Sequence, residues 1–233
     1  MNLPEDIKQI PGTTAHCYSL KIGDLNILVD AGMKSSGHKI IAFYENMKMK
    51  PDVVLITHYH PDHIGGLAMI YSRFSPTVYV PDLEVDVVRG KANVKPAKSL
   101  ISRMVAGISR TEPVSDVHPV SELSIEGITP VATHGHTPGS TSYYVEKHRA
   151  IFVGDALLKK GTEITVNRAF TIDYDEALRS KGTILGMKPF VDTARSRISD
   201  PVWKCLISAR LEWCRFQHKR YAGVYFPRSL MKQ

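Results

Sequence analysis

An apolar run, Val53-Val54-Leu55-Ile56, leads directly into Thr57-His58-Tyr59-His60-Pro61-Asp62-His63-Ile64-Gly65-Gly66. The run is β-branched and leucine-rich, the pattern of a strand buried on both faces. Three histidines and an aspartate then fall within six residues, where open sheets place their chemistry. In extended backbone alternate side chains share one side, so His58 and His60 can point at a common ion. Asp62 and His63, at the turn into a helix, can face a second ion beside it. Imidazole nitrogen and carboxylate oxygen suit zinc, and also iron or manganese. Gly65 and Gly66 let the backbone pack close behind these side chains.

Two further motifs lie downstream. Thr133-His134-Gly135-His136-Thr137-Pro138-Gly139-Ser140 places a histidine in a tight loop after a strand, its shape fixed by Pro and Gly. Phe152-Val153-Gly154-Asp155 is a strand whose end presents a carboxylate. Around them the pattern predicts a hairpin from Ala15–Leu20 and Leu25–Val29 across Gly23-Asp24, and weak helix over Ile40–Met47. It also predicts a helix from about Ile64 and strands at Thr77–Val80, Val131–Thr133, Ser142–Val145 and Ile151–Val153. An amphipathic helix opens at Pro96, and another, capped by Asp173 or Asp175, runs through Leu178 to Leu185. Strands and helices alternate without a repeat or low-complexity linker, giving a mixed α/β or α+β domain.

In order and spacing the three motifs resemble the metallo-β-lactamase superfamily over about residues 10–188. The resemblance implies an α+β fold, a four-layer αββα sandwich with a dinuclear metal site at one edge of its two sheets. It implies that His58, His60 and His136 bind the first metal, that Asp62 and His63 bind the second, and that Asp155 bridges both. Two ions, zinc in the first instance and iron or manganese otherwise, are the expected cofactor. Asp30, in Leu28-Val29-Asp30-Ala31-Gly32, matches a family aspartate near the site; it either orients a ligand imidazole or is a simple turn carboxylate. A metal-bound hydroxide is the implied nucleophile, with Asp62 as the catalytic residue that orients it. His134 reads as a loop residue.

Within the superfamily, flavodiiron oxidases carry a glutamate where His60 stands, and the zinc β-lactamases differ around Asp62–His63 and Asp155. The Thr-Pro-Gly-Ser loop followed by Gly-Asp is most similar to glyoxalase II and related thioesterases, lactonases and sulfatases. The resulting expectation is a hydrolase of a small ester, thioester or lactone. The alternatives are a phosphodiesterase or small nuclease on the same metal core, and a non-catalytic relic with an incomplete second site. Between the first two motifs, residues 82–112 carry Arg89, Lys91, Lys95, Lys98 and Arg103. They read either as a lid that attracts an anionic small-molecule substrate or as a peripheral helix with a solvated charged face.

Composition sets the remaining bounds. The longest apolar stretches are far short of the roughly 20 residues a membrane span needs, so no membrane partner is expected. No basic cluster followed by an apolar core opens the chain, and three scattered cysteines point to a reducing cytoplasm. The net charge of +7 is unevenly placed. Residues 1–188 hold 21 Lys and Arg against 20 Asp and Glu, whereas residues 189–233 hold 9 against 3. The body is therefore nearly neutral, and a nucleic-acid partner is disfavoured.

The chain thus divides into a metallo-β-lactamase-like domain, 1–188, and an anomalous basic tail, 189–233, that also holds both tryptophans. The resemblance implies one more histidine ligand, after Pro-Gly or Gly, soon after the helix ending near Leu185. The one histidine after Asp155 is His218, in Phe216-Gln217-His218-Lys219, without a preceding glycine. Either the tail is translated out of frame or it is a divergent end of the same domain. Phe190-Val191-Asp192-Thr193-Ala194-Arg195-Ser196-Arg197 is encodable by codons that, read one nucleotide later, give Leu-Leu-Ile-x-Pro-Gly-His. The nucleotide sequence of the gene is expected to contain that shifted motif. A shifted frame with no Pro-Gly-His or Gly-His codons near 194–197 ends the out-of-frame reading.

Overall fold

The structure, a computed structural model, describes residues 3–99, 111–160 and 163–187. Strands β1 (Ile7–Gln9), β2 (Tyr18–Ile22) and β3 (Leu25–Val29) form an antiparallel meander, with Ile22 paired to Leu25 across the Gly23-Asp24 turn. β4 (Val53–Leu55), β5 (Thr77–Val80) and β6 (His118–Pro119) then add in parallel, completing a six-stranded sheet in sequence order. A second, antiparallel sheet comprises β7 (Ile128–Ala132), β8 (Thr141–Val145) and β9 (Ala150–Phe152). A separate hairpin joins β10 (Leu158–Lys160) to β11 (Glu163–Thr165).

The period of two in the strands sorts their side chains into layers. Ile27, Val29, Val53 and Leu55 face the second sheet and pack with Tyr143, Val145 and Phe152 between the two sheets. Leu28, Val54, Val78 and Val80 face outward, onto Ile40 and Tyr44 of α1 (Lys34–Asn46) and Leu67 and Ile70 of α3 (Leu67–Phe74). Beyond the second sheet, Ile151 and Val153 pack with Ala177 and Ile184 of the helix Tyr174–Gly186. The order is helix, sheet, sheet, helix, the four-layer αββα sandwich. Among the described residues no helix is long and apolar enough to cross a membrane.

The helix expected from Ile64 is divided. A short helix α2 (Pro61–Ile64) precedes α3, with Gly65 and Gly66 at the joint. A Cβ on Gly65 would lie 2.4 Å from the Pro61 carbonyl oxygen, and one on Gly66 2.4 Å from that of Ala31, so no side chain fits. Pro61 opens α2, where its missing N–H costs nothing. Asp173 caps the helix Tyr174–Gly186, its Oδ1 accepting from Glu176 N at 3.0 Å. Most of the helix expected from Pro96 lies outside the described residues, as does the tail from residue 188.

Candidate metal centre

The segment after β4 delivers two imidazoles and the loop after β7 a third. His58 Nε2 lies 3.0 Å from His60 Nδ1, and His136 Nε2 lies 2.9 Å from the same atom. Ligand atoms of the three rings all fall within 4.8 Å of one another, a set that could hold a metal ion. Burial pushes the pKa of each imidazole below its ordinary value, with repulsion from neighbouring histidines adding to the effect, and His136 is brought down to about 4. Neutral rings with converging nitrogens are what a divalent cation requires of histidine ligands.

Thr57 and Asp30 set the ring orientations. Asp30, 2% exposed at the end of β3, takes a positive φ of 59°. Its Oδ1 accepts from Thr57 N at 2.8 Å and its Oδ2 from His63 Nδ1, also at 2.8 Å. The Thr57 hydroxyl donates to Asp30 and stands 3.1 Å from His58 Nδ1. A carboxylate only accepts, so His63 carries its proton on Nδ1 and turns Nε2 inward. Once the Thr57 hydroxyl has donated, it accepts from His58 Nδ1, which likewise leaves His58 Nε2 for the centre. Of the two sequence readings of Asp30, the contact is that of an imidazole-orienting carboxylate.

His63 Nε2, buried and without a well-formed hydrogen bond, sits 3.5 Å from Asp155 Oδ1 and 3.8 Å from Asp62 Oδ2. Burial works against a charge on this ring, yet Asp30, Asp62 and Asp155 together raise its pKa well above the ordinary value. An environment that favours a proton at this point also favours a metal cation there. Asp155 resists protonation: burial raises its pKa, but His63, His136 and His60 outweigh that and hold it below the ordinary range. Asp62 is pushed up to about 6, chiefly by burial, with Asp155 adding to the rise and His63 opposing it.

A second grouping that could hold a metal ion comprises His58, His63 and Asp155. Asp62 lies outside both groupings, although its Oδ2 stays 3.8 Å from His63 Nε2, beside the residue it is expected to join. Repulsion between the Asp62 and Asp155 carboxylates opposes their close approach to one another. The His136 loop rests on the last described helix, where Ser180 Oγ donates to the His134 carbonyl at 2.7 Å. Of the lid candidates, Arg89 donates to the Val117 carbonyl at 2.7 Å, and Val85 and Val88 lie in the core. The beginning of that segment is thus framework, whereas Arg103 lies outside the described residues.

One buried side chain escaped the sequence reading altogether. Glu84 is fully buried, and its carboxyl accepts from Tyr59 N, Thr137 Oγ1 and Gly139 N. Burial pushes it up to about 7 against those hydrogen bonds. Nothing in Asp82-Leu83-Glu84 distinguishes it from an ordinary polar turn.

The metallo-β-lactamase superfamily profile matches residues 10–191. The chain belongs to that superfamily. It is 29% identical over 191 residues to the probable metallo-hydrolase YflN of Bacillus subtilis (strain 168), covering 70% of this chain and 72% of that protein. It is 32% identical over 136 residues to the hydroxyacylglutathione hydrolase of Erwinia tasmaniensis, 58% of this chain and 43% of that one. Among solved structures, TTHA1623 in a di-iron-bound form aligns with a TM-score of 0.61 at 22% identity, over 77% of this chain and 85% of that one. At that identity the likeness is one of fold.

In this metallo-β-lactamase superfamily member the Asp30–His63 contact makes a direct prediction. Asp30→Asn removes a negative charge beside the ring, so the His63 pKa falls in the metal-free protein. An NMR titration of the imidazole measures it; an unchanged His63 pKa in the folded variant contradicts the assignment.

Proposed function

We propose that this chain is a metal-dependent hydrolase of a small ester, thioester or lactone. The observation that carries the reading is the convergence of His58 Nε2, His60 Nδ1 and His136 Nε2, with adjacent spacings of 3.0 and 2.9 Å, among imidazoles kept neutral by burial. In this reading those three residues hold one ion. Asp62, His63 and Asp155 would contribute to a second; the Asp155 carboxylate oxygens lie 3.7 Å from His136 Nε2 and 3.5 Å from His63 Nε2. Bound metal supplies a Lewis acid for the substrate carbonyl and activates water at neutral pH.

The protein's own residues supply orientation. Asp30 and Thr57 fix which ring nitrogens face inward, and Asp62 lies at the rim with its side chain 23% exposed. In this reading its carboxylate would orient the attacking water through a hydrogen bond. Similarity to a hydroxyacylglutathione hydrolase and to a protein named as a probable metallo-hydrolase supports the ester and thioester class. Zinc is the metal we assign first, because imidazole and carboxylate donors suit it.

The test uses one purified preparation. Metal analysis is expected to find bound zinc or iron. The metal-loaded protein is expected to hydrolyse S-lactoylglutathione or a lactone faster than bis(4-nitrophenyl) phosphate. Faster phosphodiester cleavage moves the chain to the phosphodiesterase class, and a chain that binds no metal overturns the reading. Asp62→Ala is expected to lower kcat by at least about a hundredfold, the contribution of a positioned acid–base group. Near-normal turnover in a metal-replete Asp62→Ala protein removes Asp62 from the chemistry.

A further inference from the structure

Three hydrogen-bond donors from the two histidine-bearing segments meet at one buried carboxylate. Tyr59 N, between His58 and His60, donates to Glu84 Oε2 at 2.5 Å. Thr137 Oγ1, directly after His136, donates to Glu84 Oε1 at 2.5 Å, and Gly139 N donates to the same oxygen at 3.0 Å. Glu84 belongs to neither segment; it stands after β5, in the short turn Asp82–Glu84. One side chain from a third element thus joins the backbone beside all three converging imidazoles.

Chemistry limits what can stand there. Three donors need acceptors on two sides at once, and only a carboxylate offers two accepting oxygens. A glutamine would accept on one side and turn its amide N–H groups toward donors on the other, leaving at least one buried group unpaired. The segment has adapted to the close approach: a Cβ on Gly139 would lie 2.7 Å from Glu84 Cγ. No lysine or arginine pairs with Glu84 among the described residues, so its partners are these loop donors.

We propose that Glu84 is a positioning residue that holds the His58–His60 turn and the His136 loop at the spacing at which their imidazoles share one metal ion. It acts on backbone and hydroxyl, setting where the rings sit, while Asp30 and Thr57 set which nitrogens they present. The inference rests on the metal-site reading above.

The test compares the parent chain with Glu84→Gln and Gly139→Ala. Gln removes the second acceptor, and Ala drives the carboxylate away by contact. Zinc affinity is measured by competition with a chelator, cobalt(II) coordination by visible absorption, and folding of the metal-free proteins by circular dichroism. Folded variants are expected to bind zinc about 10- to 100-fold more weakly, the usual effect of losing support behind metal ligands, with an altered cobalt(II) spectrum. A folded variant that matches the parent in zinc affinity and cobalt(II) spectrum overturns the proposal. Failure of both variants to fold also counts against it, because Glu84 then supports the fold rather than the ligand spacing. A parent chain that binds neither zinc nor cobalt overturns the metal-site reading itself, a result distinct from equal binding by parent and variants.

Discussion

The contact on which the site depends is the one Asp30 makes with Thr57 and His63. It joins the end of β3 to the first residue after the β4 run and to the short helix α2. The carboxylate is buried, and its backbone is left-handed, a conformation that costs a non-glycine residue roughly 1–3 kcal/mol. Three satisfied donors offset that cost; a buried carboxylate without them would be far more expensive. Parallel pairing of β3 with β4 brings Asp30 to Thr57, and Asp30 N itself donates to the Leu55 carbonyl at 2.9 Å.

The second sheet is equally necessary. Tyr143 of β8 reaches across the sandwich to donate to the Ile56 carbonyl at 2.7 Å, and Thr141 N donates to that of Thr57 at 2.9 Å. These bonds join the strand after the His136 loop to the start of the first motif. The histidine trio therefore draws on both sheets, which Leu55, Tyr143 and Phe152 pack together in the inter-sheet core.

Much of this arrangement is written in short-range pattern. The period of two in β3 and β4 separates the layers, Gly23-Asp24 gives the hairpin, and His58, His60 and His63 announce themselves by density. Asp155 was legible only beside the other motifs, since Gly-Asp alone is ordinary turn chemistry. Glu84 was not legible because its meaning lies in contacts 25, 53 and 55 residues away, two of them to backbone N–H groups that no side-chain pattern records. Its neighbour misleads further: Leu83 is 67% exposed while Glu84 is fully buried, the reverse of what polarity suggests. The division between α2 and α3 was missed for a related reason, since the obstacles to a side chain at Gly66 are the backbone of Ala31 and Gly37, distant in sequence.

Four carboxylates, Asp30, Asp62, Glu84 and Asp155, surround or support the imidazoles in a body whose overall charge is close to neutral. Three of them, Asp30, Asp62 and Asp155, raise the His63 pKa against the effect of burial, so the charge felt at that ring is negative. Such a field draws cations and repels anions. A substrate carbonyl polarises toward positive charge, and an anionic substrate needs it still more. A bound cation would offset the negative charge around His63 and would give a substrate's electron-rich oxygen a positive partner.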